Sequence, residues 1–352
     1  MTITEILQQA VARSASDVLL IAGLPVTYKV DGVLRREGDP LSAQDCGQLT
    51  QALYQLAGDR ELSRLEQGGD DDFSFSLPGL SRFRVNALRQ RGSLALVIRV
   101  ISFRLPDRAA LHIPDNVMRF ADCPRGLVLF TGPAGSGKTT TLACIVDAVN
   151  SSRNANIITI EDPIEYLHRH KKSVVIQREL AVDTRSYQMA LRAALREIPD
   201  IILLGEIRDP ETTQAAITAA ETGHLVISTL HTVGAANSID RIVDSFPPVQ
   251  QSYIRVQLSM VLEGVVSQQL LPSRSGERLP AFEVMVINSA IRNMIRESKS
   301  HQLDGMIAQS GAEGMVTMDQ SILKLVQSGQ VSPEDALRYC VNPDWLRKRM
   351  AM

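Results

Sequence analysis

Eight residues constrain this chain more than any other stretch: Gly132-Pro133-Ala134-Gly135-Ser136-Gly137-Lys138-Thr139. They form a complete G-x-x-x-x-G-K-T pattern. The run before them, GLVLFT, is apolar enough for a buried strand, and the run after them, KTTTLACIVDAVN, has helical spacing. A strand, a glycine loop and a helix in that order make a phosphate cradle. Glycines let backbone N–H groups approach an anion where a side chain would block them. Lys138 brings a point charge to β- and γ-phosphates, the Thr139 hydroxyl can ligate Mg²⁺, and Thr140 continues the helix. The chemistry points to ATP with Mg²⁺.

Three further apolar runs have the same character: NIITI, DIILLG and HLVISTL. Continuous apolar strands separated by helices predict a parallel sheet covered on both faces, an α/β fold. The run Ile201–Leu204 leads through Gly205 to Glu206, which places a carboxylate at the C-terminal tip of a strand, where open α/β sheets bind ligands. Such a residue is either a solvated strand end or a group serving Mg²⁺ or the attacking water. The glycine loop in the same chain favours the second reading. NIITI ends in Glu161-Asp162-Pro163-Ile164-Glu165, where Glu161 is a further candidate for the Mg²⁺ or water shell. Glu165 is read as part of a turn. HLVISTLHT carries His224 and His231, and two readings stand for them: structural histidines, or sensors of the γ-phosphate.

Residues 1–100 read as a mixed α+β unit. Strand-like runs cover 18–21 and 26–30, with a turn at Asp31-Gly32, and a helix follows with Ser42 as its N-cap. FSFSL, SRFRVNALRQ and SLALVIRVI alternate polar and apolar positions, as a half-exposed antiparallel sheet does. This unit carries Arg82, Arg84, Arg89 and Arg91 within ten residues. Alternation puts Arg82 and Arg84 on one strand face, as either a solvated charged surface or guanidinium groups for a phosphate. Residues 101–115 read as a linker with two prolines. Residues 116–352 form the strand–helix unit, with a helical C-terminal portion from about 270.

Composition narrows the function classes. Apolar residues make up 44% of the chain and charged residues 22%, ordinary values for a globular protein. The formal net charge of −2 disfavours nucleic acid as a partner. Cys46, Cys123, Cys144 and Cys340 are scattered, which suggests neither a zinc knuckle nor a redox pair and fits a reducing compartment. The first residues lack the layout of a signal peptide. The longest apolar runs reach about six residues, far short of the ~20 that span a bilayer. The expected place is the cytoplasm.

The order GPAGSGKTTT, TIEDPIEY, LLGEIRDPET and GHLVISTLHT resembles the Walker A, Asp box, Walker B and His box of the secretion-superfamily ATPases that power type II secretion and type IV pili. SASDVLLIAGLPVTYKVDG, GLSRFRVNALRQRGS, FPPVQQSYIRVQLSMVLEGVVSQQLL and AIRNMIRESKSHQL extend the resemblance over nearly the whole chain, and it is with the PilT family of pilus retraction ATPases. The resemblance implies a homohexamer whose subunits have a PAS-like N-terminal domain and a RecA-like ATPase domain. It implies retraction of type IV pili, with twitching motility as the outcome. The implied partner is an inner-membrane platform protein, so the membrane is met only through protein. Lys138 and Thr139 are implied to bind phosphate and Mg²⁺, with Glu206 as the general base and Glu161 assisting, both in the outer shell of the metal. His224 and His231 form the implied His box, and Arg82 and Arg84 are the candidate arginines that reach the nucleotide.

The chain starts at the PAS-like unit and lacks a four-cysteine zinc motif, which favours retraction over an assembly or secretion ATPase. A non-hydrolysing nucleotide switch is the reading from another class. Ser298 stands where the family's I-R-E-G-K motif has glycine, Ile198 stands where an acid is usual, and Leu19 and Leu20 occupy a stretch where histidine is common.

Overall fold

The computed structural model describes residues 1–30, 32–101, 103 and 105–351. Asp31 of the expected turn and Ser102 and Arg104 of the expected linker lie outside them. Contacts divide the chain into two units: residues 1–104 with 165–167, and residues 105–164 with 168–352.

The first unit holds β1 (Asp17–Leu20), β2 (Val26–Val30), β3 (Val33–Glu37), β4 (Asp70–Leu77), β5 (Ser81–Gln90) and β6 (Ser93–Ile101), with α1 (Ile3–Ala12), α2 (Ala43–Leu56) and α3 (Ser63–Gly68). The strands form one sheet in the order β3-β2-β1-β6-β5-β4, antiparallel at each pairing. β5 shows why the sequence alternates. Ser81, Phe83, Val85 and Ala87 are buried, while Arg82, Arg84 and Asn86 between them are partly exposed. The helices cover the apolar face through Ile6, Leu7, Leu49 and Leu53. Ser42 caps α2 as expected, its hydroxyl accepting from the Asp45 N–H while the Asp45 side chain accepts from the Ser42 N–H, a reciprocal capping box.

The second unit contains β7 (Gly126–Thr131), β8 (Asn156–Glu161), β9 (Val174–Glu179), β10 (Ile201–Leu204), β11 (Leu225–Leu230), β12 (Leu262–Pro272) and β13 (Arg278–Val286). Its helices are α4 (Asp115–Met118), α5 (Lys138–Ser152), α6 (Tyr187–Ala194), α7 (Pro210–Glu221), α8 (Ala235–Asp244), α9 (Pro248–Val261), α10 (Ser289–Arg296), α11 (Leu303–Gln309), α12 (Met318–Gln327), α13 (Pro333–Tyr339) and α14 (Pro343–Met350). The sheet order is β13-β12-β7-β11-β10-β8-β9. All neighbours are parallel except the β12–β13 hairpin.

Every residue of β7 is buried, because helices cover both faces of the sheet. Leu127 and Leu129 point into a core with α6 to α9, and Val128 and Phe130 into a second core with α5. This explains the unbroken apolar runs. The hairpin corrects one expectation: Leu262–Pro272 and Arg278–Val286 are strands, whereas the sequence reads as helical from about 270. Gln268, Gln269 and Glu283 interrupt the apolar pattern there, yet Gln268 and Glu283 are buried.

Ser298 and Ile198 both adopt positive φ, 60° and 54°. Ser298 follows α10, and beyond it the Lys299 N–H returns to the Met294 carbonyl at 2.8 Å, the closure of a helix C-cap normally given to glycine. No helix of the described residues is long and apolar enough to cross a membrane.

Candidate functional site

Parallel pairing brings the C-terminal ends of β7, β8, β10 and β11 to one edge of the sheet, and the motifs follow those ends. The glycine loop runs from β7 into α5. Gly137 is the N-cap of α5 at φ 86°, and with no side chain of its own it makes no side-chain cap hydrogen bond to the helix. The Lys138 side chain folds back into the loop, its Nζ donating to the carbonyls of Gly132 at 2.7 Å and Pro133 at 3.0 Å. Lys138 is 8% exposed. Burial pulls its pKa down, and the charge of Glu206 works the other way. Ser136 Oγ is buried with no hydrogen-bond partner among the described residues, and Thr139 is exposed at the first turn of the helix. An uncapped helix start, a buried ammonium and an orphaned hydroxyl fit a phosphate group, and the exposed Thr139 hydroxyl suits a hard cation beside it.

Glu206 follows β10. Its backbone is fixed from both sides: the Gly205 N–H donates to Ile160 at 2.8 Å and the Ile207 N–H to Thr229 at 3.1 Å. The carboxylate has two partners. Arg208 donates to Oε1, and His231 Nε2 lies 3.3 Å from Oε2. Burial would raise the pKa of this carboxyl, but Arg208 and then His231 outweigh it and hold Glu206 below the usual carboxylate range. Glu161 ends β8 at 8% exposure. Its Oε1 accepts from the Thr159 hydroxyl at 2.6 Å and from Gln177 Nε2 at 3.2 Å, so its orientation is set by neighbours on β8 and β9.

His231 therefore joins the site, and His224 does not join it within the chain. His224 precedes β11, whose first residue, Leu225, pairs with Gly126, the first residue of β7. The glycine loop follows the last residue of β7. A six-residue strand at ~3.3 Å per residue places His224 about 20 Å away, at the opposite edge of the sheet. There its Nδ1 lies 3.0 Å from the Ala219 carbonyl and 3.1 Å from the Thr222 hydroxyl. Arg82 and Arg84 lie in the first unit on one face of β5, Arg82 bonded to Ser76 at 3.2 Å and Arg84 directly opposite Arg99 on β6. Sequence reasoning missed Arg208, whose signal was its place two residues after Glu206.

The family model for type II/IV secretion system proteins matches residues 1–338. This chain belongs to that family. Within the type II/IV secretion family it is similar to the type IV pilus retraction ATPase PilT of Pseudomonas aeruginosa, with 46% identity over 96% of this chain and 97% of the relative. It is also similar to a twitching motility protein of Neisseria gonorrhoeae, at 43% over 97% of this chain and 91% of that protein. Its fold matches the crystal structure of the pilus retraction motor PilT with bound ADP, with a TM-score of 0.89, 43% identity and 99% of each chain covered. The RecA-like P-loop fold of the second unit is thus that of the family, and the chain is of a nucleotide-binding kind.

Proposed function

We propose that this chain hydrolyses ATP and converts the hydrolysis into retraction of type IV pili. In this reading it works as a ring of six copies on the cytoplasmic side of the inner membrane, against a pilus platform protein. The observation that carries the enzymatic part is the placement of Glu206. Its ionised carboxylate, held by Arg208 and His231, stands at the same sheet edge as the Lys138 loop. The direction of the motor rests on the names of the two relatives, similar over nearly their whole length.

Residues Gly132 to Thr140 hold the phosphates in this scheme. Lys138 exchanges its loop carbonyls for phosphate oxygens, a trade of neutral for charged acceptors that strengthens each bond. Thr139 would hold Mg²⁺, with Glu161 and Glu206 in its outer shell; when bound, the ion neutralises charge on the β- and γ-phosphate oxygens. Glu206 orients the attacking water, and His231 keeps the carboxylate aimed. Arg82 and Arg84 are assigned to the charge that develops on the transferred group. His224 is assigned to securing the start of β11.

The test joins turnover to motility. Glu206→Gln keeps the shape of the side chain and removes its charge, and ATP turnover should fall by about a hundredfold or more. In the host, the same variant should leave surface pili in excess and movement arrested. Normal turnover in Glu206→Gln would sink the assignment of the base. Loss of turnover together with bare, unpiliated cells would point to pilus assembly instead.

A further inference from the structure

β12 lies parallel to β7 with Ser267 opposite Thr131, so the next residue on β12, Gln268, stands level with the start of the glycine loop. Gln268 is 3% exposed, and both its main chain and its side chain press on that loop. A Cβ on Gly132 would fall 2.2 Å from the Gln268 carbonyl oxygen, and one on Gly137 would fall 2.9 Å from its Nε2. The Thr141 hydroxyl, in the first turn of α5, donates to Gln268 Oε1 at 2.9 Å in a buried hydrogen bond. One residue earlier, Ser267 Oγ accepts the Gly234 N–H at 3.1 Å, in the loop that His231 begins. A buried amide is costly unless its polar atoms are matched, and an aliphatic residue would pack this strand more simply.

We propose that Gln268 is a positioning residue for the phosphate loop. It ties the first and last glycines of the loop and the opening turn of α5 to a rigid strand, so the loop is already set when phosphate arrives. A loop rich in glycine has many conformations, and fixing one in advance removes an ordering cost from binding. The effect falls on nucleotide affinity and KM, because Glu206 and His231, assigned to the attacking water, follow other strands, β10 and β11. The inference rests on reading this loop as the nucleotide site.

The experiment measures ADP affinity by calorimetry on the full chain, for the wild type, Gln268→Met, Thr141→Val, the double variant and Lys138→Ala. Loss of one buried hydrogen bond that presets the loop should weaken ADP about tenfold in either single variant. The double variant should be no worse than the singles, since both remove the same link. KM for ATP should rise in step while kcat stays within about twofold. Folded single variants that bind ADP as the wild type does would overturn the proposal, as would losses that multiply in the double. If Gln268→Met does not fold, Thr141→Val decides by the same measurement from the other end of the bond. ADP binding that Lys138→Ala abolishes and Gln268→Met leaves intact keeps the nucleotide site and rejects the positioning role. A wild type that binds no ADP rejects both.

Discussion

His231 Nε2 lies 3.3 Å from Oε2 of Glu206, on the oxygen opposite the one that Arg208 takes. The carboxylate is clamped between an imidazole and a guanidinium that come from two different strand ends. Burial pushes its pKa up, and the clamp more than reverses that push. The charged form is therefore present above the lowered value and is lost only as the pH falls through it. Arg208→Ala removes the largest of the lowering influences, so the acid limb of the kcat/KM profile should move to higher pH. A limb that stays in place would separate the limiting ionisation from Glu206.

Lys138→Ala should reduce phosphate release by about a hundredfold or more, the loss expected when a preorganised charge is removed from a transferring group. Far-ultraviolet circular dichroism should be unchanged, because among the described residues the ammonium is hydrogen-bonded only to loop carbonyls of Gly132 and Pro133. Turnover within a few-fold of wild type would reject the loop as the nucleotide site.

Gly264→Ala tests packing between β12 and the segment before β7. The added methyl would meet Phe120 ring carbons at 2.1 and 2.3 Å and the Met285 carbonyl oxygen at 3.1 Å, and Phe120 is 1% exposed. The expected cost is about 1–3 kcal/mol, the range for overpacking. Phe120→Leu added to Gly264→Ala should recover part of it, read as the midpoint of denaturant unfolding. No recovery would mean that the clash is relieved elsewhere.

Acid stability should depend on His168. Burial lowers its pKa from 6.5 to about 4, with Asp147 raising it and Lys171 lowering it by smaller amounts. Its Nδ1 is buried with no partner among the described residues. The unfolded chain takes up this proton near 6.5 and the folded chain only near 4. Stability is therefore complete above 6.5 and declines as the pH drops between the two values, by up to about 3 kcal/mol. His168→Gln should flatten the unfolding midpoint across that window. An unchanged slope would assign the acid sensitivity to other groups.

The loop around Lys138 was legible because its chemistry is local: eight consecutive residues carry the glycines, the charge and the hydroxyl. Glu206 was legible because four apolar residues announce the strand that it follows. His224 stayed open between two readings because a histidine at either end of an apolar run looks the same in one dimension. The pairing of Leu225 with Gly126 is what assigns it to the far edge. Gln268 left no signal, since a glutamine in a strand usually faces water, and its partner Thr141 is 127 residues away. Glu283 misled in the same way. It is buried, with its pKa raised chiefly by that burial, and it accepts the backbone N–H groups of Ala235 and Met318 at 2.7 and 3.4 Å. The need for an acceptor at two helix starts arises only after the helices have been brought to the sheet.

The sheet order has a consequence for charge. β10 stands two places from β7, with β11 between them. Neighbouring strands lie ~4.8 Å apart, so the ends of β7 and β10 are separated by about 10 Å. Lys138 and Glu206 feel each other electrostatically, yet among the described residues no ion pair joins them. On adjacent strands they would fall together and cancel, leaving neither the cation for an anion nor the carboxylate for a water. β11 thus acts as a spacer, and the backbone rather than either side chain sets the interval across which a reaction can be strung.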